Sequence, residues 1–270
     1  MLIHRTMTAL VLFFVTCFLL FGIPGVFKMP DMVFVTMSWL LCIAAVYELT
    51  KMYKFNIISQ IGLLSTITVL LFILYFTPFD VSQLVRIISI LTWCLIIPVI
   101  LFWQPKHISR AAICGLAIII FVPAFYAMVV LQGLFGSFQL ISILAIAWVA
   151  DTGAYFVGRK FGKHKLAPTI SPSKTIEGAI GGMVFVIIYL LILKSLNVTV
   201  YLPDYPAVFK FAIILTIVSI LGDLIESWFK RVAKVKDSGN LLPGHGGIFD
   251  RIDSLIAVLA VAFAMIRGLI

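Results

Sequence analysis

Residues 207–231 read AVFKFAIILTIVSILGDLIESWFKR, and the reading of this one stretch decides the fold. A helix of about 20 mostly apolar residues crosses a hydrocarbon core of about 30 Å. The run 207–229 is that long and carries only Lys210, Asp223 and Glu226 as charges. An acid near the bilayer centre costs about 2.5–3.5 kcal/mol on insertion scales, so it needs a partner or a task. Asp223, Glu226, Ser227 and Lys230 fall at i, i+3, i+4 and i+7, which puts them on one helical face. Glu226 and Lys230 explain each other as an i, i+4 pair. Asp223 lies about a turn deeper, behind Gly222, and that pair leaves it unexplained.

Working outward, the whole chain has the same character. A hydrophobic fraction of 63% and a charged fraction of 11%, with a mean hydropathy of +1.18, specify an all-α polytopic membrane protein. Nine spans are expected, near 7–27, 32–49, 57–77, 83–103, 111–131, 137–158, 178–196, 207–229 and 254–270. Pro98 and Pro123 fall inside two of them, where neighbouring helices re-satisfy the freed carbonyls. Residues 7–27 follow His4 and Arg5 as a signal peptide would, but no A-x-A-like site ends the run, so an uncleaved first helix is expected.

The nine spans divide the 20 Lys and Arg into 15 on one side and 5 on the other. By the positive-inside rule the richer side is cytoplasmic, with the N-terminus inside and the C-terminus outside a multi-pass inner membrane protein. The net charge of +9 is therefore a topology signal and an attraction to the lipid bilayer, not a sign of nucleic-acid binding. Cys17, Cys42, Cys94 and Cys114 show no metal or disulfide spacing and read as small packing residues. Residues 1–270 read as one membrane domain: 1–136 hold only Asp31, Glu48 and Asp80 as acids and look like scaffold, while 137–270 hold the other eight.

Residues 221–254 alone contain five of the eleven acids and five of the 20 Lys and Arg. Asp250 and Asp253 stand at i, i+3 at the entry to the last span. One acid there serves as a cap; two, opposite Asp223 on an antiparallel neighbour, make an oxygen cage for a hard cation. Mg²⁺, which takes few carboxylates and substrate phosphates, suits the set, with a second cation allowed. Pro243, Gly244, His245, Gly246 and Gly247 form a turn whose N–H groups can converge on an anion. His245 reads as an acid–base group or a phosphate ligand, and equally well as a structural hydrogen-bond partner. A second polar connection carries Asp151, then Ser171, Lys174, Thr175 and Glu177. Ser171 as N-cap with Pro172 at N1 is a good helix start. Gly178, Ala179, Gly181 and Gly182 suit close helix packing, which also favours a homodimer.

These residues resemble the phosphatidate cytidylyltransferase (CDP-diacylglycerol synthase) family, whose signature S-x-x-K-R-x4-K-D, a short gap, then P-G-H-G-G-x-x-D-R-x-D is met at thirteen positions. They are Ser227, Lys230, Arg231, Lys236, Asp237, Pro243, Gly244, His245, Gly246, Gly247, Asp250, Arg251 and Asp253. Asp151 with the following Thr152-Gly153-Ala154-Tyr155, and Ser171-Pro172-x-Lys174-Thr175-x-Glu177-Gly178, resemble the family as well; Ser173 stands where many relatives carry a base. The resemblance implies that CTP and phosphatidic acid give CDP-diacylglycerol and pyrophosphate, with Mg²⁺. It implies catalytic roles for Asp223, Asp250, Lys230, Arg231 and His245. Asp151, Ser171, Lys174, Thr175, Glu177, Ser227, Lys236, Asp237, Gly246, Gly247 and Arg251 would contact substrate, and Asp223, Asp250, Asp253 and Glu226 the metal. Three other readings compete. A cation transporter would scatter acids deep in several helices, an isoprenoid-lipid cytidylyltransferase differs only in its lipid tail, and a polyprenol-type lipid kinase would not need the whole signature.

Overall fold

The computed structural model describes residues 31–77, 79–241 and 246–266. The expected first span, 7–27, and Cys17 lie outside these residues. Helices α1 (Asp31–Met52), α2 (Ile57–Phe76), α3 (Ser82–Trp103) and α4 (Arg110–Phe161) come first. A two-stranded antiparallel hairpin, β1 (Lys165–Ala167) and β2 (Ser171–Thr175), follows, then α5 (Ile176–Ser195), α6 (Tyr205–Ala233) and α7 (Phe249–Met265). Among the described residues six of these helices are long and apolar enough to cross a membrane.

Local chemistry sets the ends. Asn56, Ser109 and Asp204 cap α2, α4 and α6 by accepting the N–H of Ser59, Ala112 and Ala207. Within α3 the turn Thr92–Ile96 widens to a π-helix just before Pro98; the wider turn accommodates a ring that would press on the carbonyl one turn earlier.

Helix α4 has 52 residues, about 78 Å of helix at 1.5 Å per residue, more than twice a hydrocarbon core. It breaks at Gly136, whose φ of 79° and ψ of 173° are non-helical, and its two limbs run in opposite directions. Arg110 at one end donates to the Lys54 carbonyl, and Thr169, just past the other end, donates to Gln104 Oε1. Next to the break, Gln139 bonds both Val198 and Val200 beyond the far end of α5. The connections 52–57, 104–109, 161–175 and 234–241 thus share one face of the bundle, and the break at Gly136 lies on the other with 195–204. The expected spans 111–131 and 137–158 are these two limbs.

Helix α7 is the core of the bundle: Ile256 through Ala264 are all buried. Alternating Ala with Val, Leu and Phe lets its neighbours approach on every side. Phe263 stacks edge-on against Tyr126 with Arg86 over its ring, and Phe249 packs against Phe121 and Phe229.

Two expectations change. Ser171 and Pro172 do not start a helix; they lie in β2, and Thr175 is the N-cap of α5, its Oγ1 accepting the Gly178 N–H at 3.1 Å. Strand pairing with β1 holds the segment extended, which also suits a residue preceding proline. The small-residue face of α5 is spent inside the chain. A Cβ at Gly182 would lie 2.6 Å from the Ala150 carbonyl oxygen, and one at Gly181 would strike Val157. That face, the reason for expecting a homodimer, packs on the second limb of α4.

Candidate active site

Helices α6 and α7 meet at Gly222. A Cβ there would sit 2.6 Å from the Asp253 carbonyl oxygen and 2.9 Å from Ser254 Cα, so the two backbones approach only because the residue is glycine. This contact presses the acidic face of α6 against the acidic start of α7. Asp223, Glu226 and Asp253 each place one carboxylate oxygen within 4.8 Å of the others. Lys230 closes the group, its Nζ lying 2.7 Å from Glu226 Oε2 and 2.8 Å from Asp250 Oδ1. From the hairpin side Lys174 Nζ reaches Asp223 Oδ2 at 2.5 Å, and Ser227 Oγ donates to Asp223 Oδ1 at 3.3 Å.

The other oxygen of Asp250 holds the loop before α7. Asp250 Oδ2 accepts the Ser238 N–H at 2.9 Å, the Ser238 hydroxyl at 3.0 Å and the Gly247 N–H at 2.9 Å. Gly246 takes a φ of +81° beside it, a conformation that favours glycine. Asp250 thus sits in the first turn of α7 as a hub for Lys230 and the loop.

A cleft of about 410 Å³ opens beside these acids. Asp151, Asp223, Lys174, Arg159 and Tyr155 line its polar part; Ala150, Ala154, Gly178, Ala179, Gly182 and Ile220 give it apolar walls. Small residues on α4 and α5 leave the room that larger side chains would fill.

The structure brings Asp151, Asp223, Glu226, Ser227, Lys230, Asp250, Asp253 and Lys174 into one neighbourhood. Thr175 lines the cleft and caps α5. Ser171 stands half-buried at the start of β2. Glu177 bonds the turn beneath the hairpin, accepting from the N–H of Lys163 and His164 and meeting His164 Nδ1 at 2.6 Å. Arg231 donates through Nε to the Ile170 carbonyl at 3.1 Å and so ties α6 to the hairpin turn. Lys236, Asp237 and Arg251 are exposed on the same face, with Gly246 and Gly247 nearby. His245 lies outside the described residues. Sequence reasoning passed over Arg159, whose Nη1 donates to Tyr155 Oη at 2.9 Å at the cleft rim. It also passed over Ser238 and over Glu48 of α1, which is 1% exposed and bonded to the loop before α7. The only signal for Glu48 was an acid within an apolar span.

Five carboxylates, Asp151, Asp223, Glu226, Asp250 and Asp253, stand here against the two ammonium groups of Lys174 and Lys230. Glu226 is 1% exposed, and its Oε1 has no hydrogen-bond partner among the described residues. Uncompensated carboxylate charge at low dielectric is expensive, so a divalent cation fits this donor set.

An apolar helical bundle with a nest of acids and lysines, opening on a small-residue cleft, defines a helical protein of the membrane class with a candidate divalent-cation site. Comparison with known proteins narrows the class. The chain belongs to the Cytidylyltransferase family, which it matches over residues 3–269. It is 35% identical over 260 residues to the phosphatidate cytidylyltransferase of Staphylococcus haemolyticus, covering 94% of this chain and 95% of that one. It is 35% identical over 213 residues to the phosphatidate cytidylyltransferase of Pseudomonas aeruginosa, covering 77% and 78%. With that of Bacillus subtilis it shares 32% over 234 residues, covering 82% and 84%.

Proposed function

We propose that this chain is an integral membrane nucleotidyltransferase that makes CDP-diacylglycerol and pyrophosphate from CTP and phosphatidate. Its place among curated phosphatidate cytidylyltransferases over nearly its whole length supports the reaction. The observation that carries the reading is the acid–lysine nest lying at the polar end of an apolar-walled cleft. A lipid phosphate can enter that cleft with its chains toward the bilayer while a nucleotide triphosphate meets the acids and bases from the aqueous face.

The phosphatidate phosphate is already a nucleophile, so no side chain has to generate one. One of its oxygens attacks the α-phosphorus of CTP. The new P–O bond forms as the bond from that phosphorus to the bridging β-phosphate oxygen breaks, and pyrophosphate leaves with the electron pair. Catalysis is then positioning and charge neutralisation. Mg²⁺ held by Asp223, Glu226 and Asp253, with Asp250 beside them, would supply positive charge to the triphosphate. Lys230, Arg231, Lys236 and Arg251 steady phosphate oxygens, and Gly246 and Gly247 offer backbone N–H groups. Lys174 receives the lipid phosphate at the cleft rim beside Asp151, while Ser171, Thr175, Glu177 and Ser227 hold that rim in shape. Asp237 stands on the exposed loop that would meet the nucleotide, and His245 is the acid–base candidate offered by the sequence.

The face carrying the site is the cytoplasmic one, supported by its greater share of Lys and Arg. Residues 137–270 act as the working half of one membrane domain, and 1–136 serve as scaffold, with Glu48 bonded to the start of α7 behind the site. Purified protein in mixed micelles, given labelled CTP and phosphatidate, should form labelled CDP-diacylglycerol with Mg²⁺ and none with EDTA. Product formation unaffected by chelation would refute the cation-dependent reading.

A further inference from the structure

The buried carboxylate of Glu48 stands behind the nest, on a helix nearly two hundred residues away in sequence. Its Oε2 accepts the Phe249 N–H at 2.9 Å, at the first residue of α7, and the Ser238 hydroxyl at 3.2 Å. That hydroxyl also lies 3.0 Å from Asp250 Oδ2 and accepts the Asp250 N–H at 3.3 Å. One hydroxyl proton cannot serve both carboxylates at once, so Ser238 couples Glu48 to Asp250. The loop is moulded around the Glu48 side chain. A Cβ at Gly239 or at Gly247 would strike its carboxylate, and Oε1 has no hydrogen-bond partner among the described residues. A buried acid with one oxygen unbonded among the described residues is a costly way to join two helices. An apolar side chain would pack α1 on α7 without that cost.

We infer that Glu48 is a positioning residue for the nucleotide half of the reaction. By fixing the Phe249 N–H and, through Ser238, the Asp250 carboxylate, it sets where Gly246, Gly247 and the start of α7 meet the CTP phosphates. This rests on the proposed cytidylyltransferase function and adds a residue from the scaffold half to it. Glu48 touches neither substrate. Its effect falls on CTP and spares phosphatidate, because the cleft that takes the lipid is lined from α4, β1, β2, α5 and α6 with no residue of α1.

Kinetics with CTP and phosphatidate varied separately test the assignment. Glu48→Ala should raise the KM for CTP by about tenfold or more and leave the KM for phosphatidate within about twofold. Glu48→Gln keeps an oxygen to accept the Phe249 N–H and should recover most of the CTP affinity. Ser238→Ala should give a smaller rise for CTP, and Glu48→Ala combined with Ser238→Ala should be less than additive, as expected of residues that act through one contact. Equal rises in both KM values, or full additivity, would overturn the inference. If Glu48→Ala does not fold, Glu48→Gln and Ser238→Ala carry the same test, and wild-type CTP kinetics in both would overturn it. Amide exchange at Phe249 reads the contact without turnover: faster exchange is expected in Glu48→Ala with protection largely kept in Glu48→Gln, and wild-type protection in Glu48→Ala would overturn the inference. Wild-type protein inactive on CTP and phosphatidate would instead count against the proposed function, with the exchange result still deciding the role of Glu48.

Discussion

Lys174 Nζ and Asp223 Oδ2 lie 2.5 Å apart, so a base from the hairpin holds an acid that helix α6 presents to the proposed cation site. The ammonium and a divalent cation compete for one carboxylate. Lys174→Met should therefore lower the Mg²⁺ concentration needed for half-maximal rate, while raising the KM for phosphatidate by about tenfold through loss of a phosphate contact. Titrating Mg²⁺ at saturating substrates checks the first effect. An unchanged Mg²⁺ requirement would mean that Asp223 does not bind the cation.

Removing single carboxylates from the nest has a different signature from loosening the fold. Asp223→Asn and Asp253→Asn should each cut kcat/KM by about 100-fold or more, the scale of losing a preorganised electrostatic contact. Both variants should still insert and elute as the wild type does. Activity within threefold of wild type at saturating Mg²⁺ would remove that residue from the ligand set.

The α6–α7 contact predicts a stability effect at a position with no functional group. In Gly222→Ala the new methyl meets the Asp253 carbonyl, Ser254 Cα and Ala257 Cβ. Overpacking of this kind costs about 1–3 kcal/mol. Thermal unfolding in detergent should show a lower midpoint, and activity should fall further than stability because the helices bearing the acids are pushed apart. An unshifted midpoint would show that the helices can separate without strain.

Arg231 is committed through Nε to the Ile170 carbonyl, which leaves the rest of its guanidinium for phosphate. Arg231→Ala should lower kcat and kcat/KM together, by about 2–4 kcal/mol if it acts as one preorganised donor. Arg231→Lys should restore little, since a point ammonium cannot span both partners. Full recovery with lysine would reduce the role of Arg231 to charge alone.

The orientation is open to labelling. With the four native cysteines replaced, cysteine at Lys163 or Asn240 should react with an impermeant thiol reagent only after the membrane is opened. Cysteine at Val200, on the opposite face, should react in intact spheroplasts. The reverse pattern would place the site outside.

Much of this was legible in the chain because membrane helices are coded locally. The spans near 32–49, 57–77, 83–103 and 207–229 appear as α1, α2, α3 and α6, since a run of apolar residues has one stable form in a bilayer. The i, i+3, i+4 face of Asp223, Glu226 and Ser227 appears as read, for side-chain direction on a helix follows from spacing. The start of α5 was misread at Ser171, because the capping chemistry of Ser-Pro is indifferent to whether a strand partner, here Ala167, lies a few residues upstream.

The sequence by itself determined the membrane class, the apolar spans and which acids share a helical face, all of which depend on neighbours within a few residues. Beyond the Glu226–Lys230 pair along α6, only the tertiary structure decided how the charges pair. Lys230 lies between Glu226 and Asp250, Lys174 meets Asp223, and Glu48 holds the start of α7 from a helix two hundred positions away. A carboxylate accepts any donor that reaches it, so its partner is set by which helices can approach. That approach was fixed at Gly222, Gly182, Gly239 and Gly247, where the absence of a Cβ lets distant segments touch.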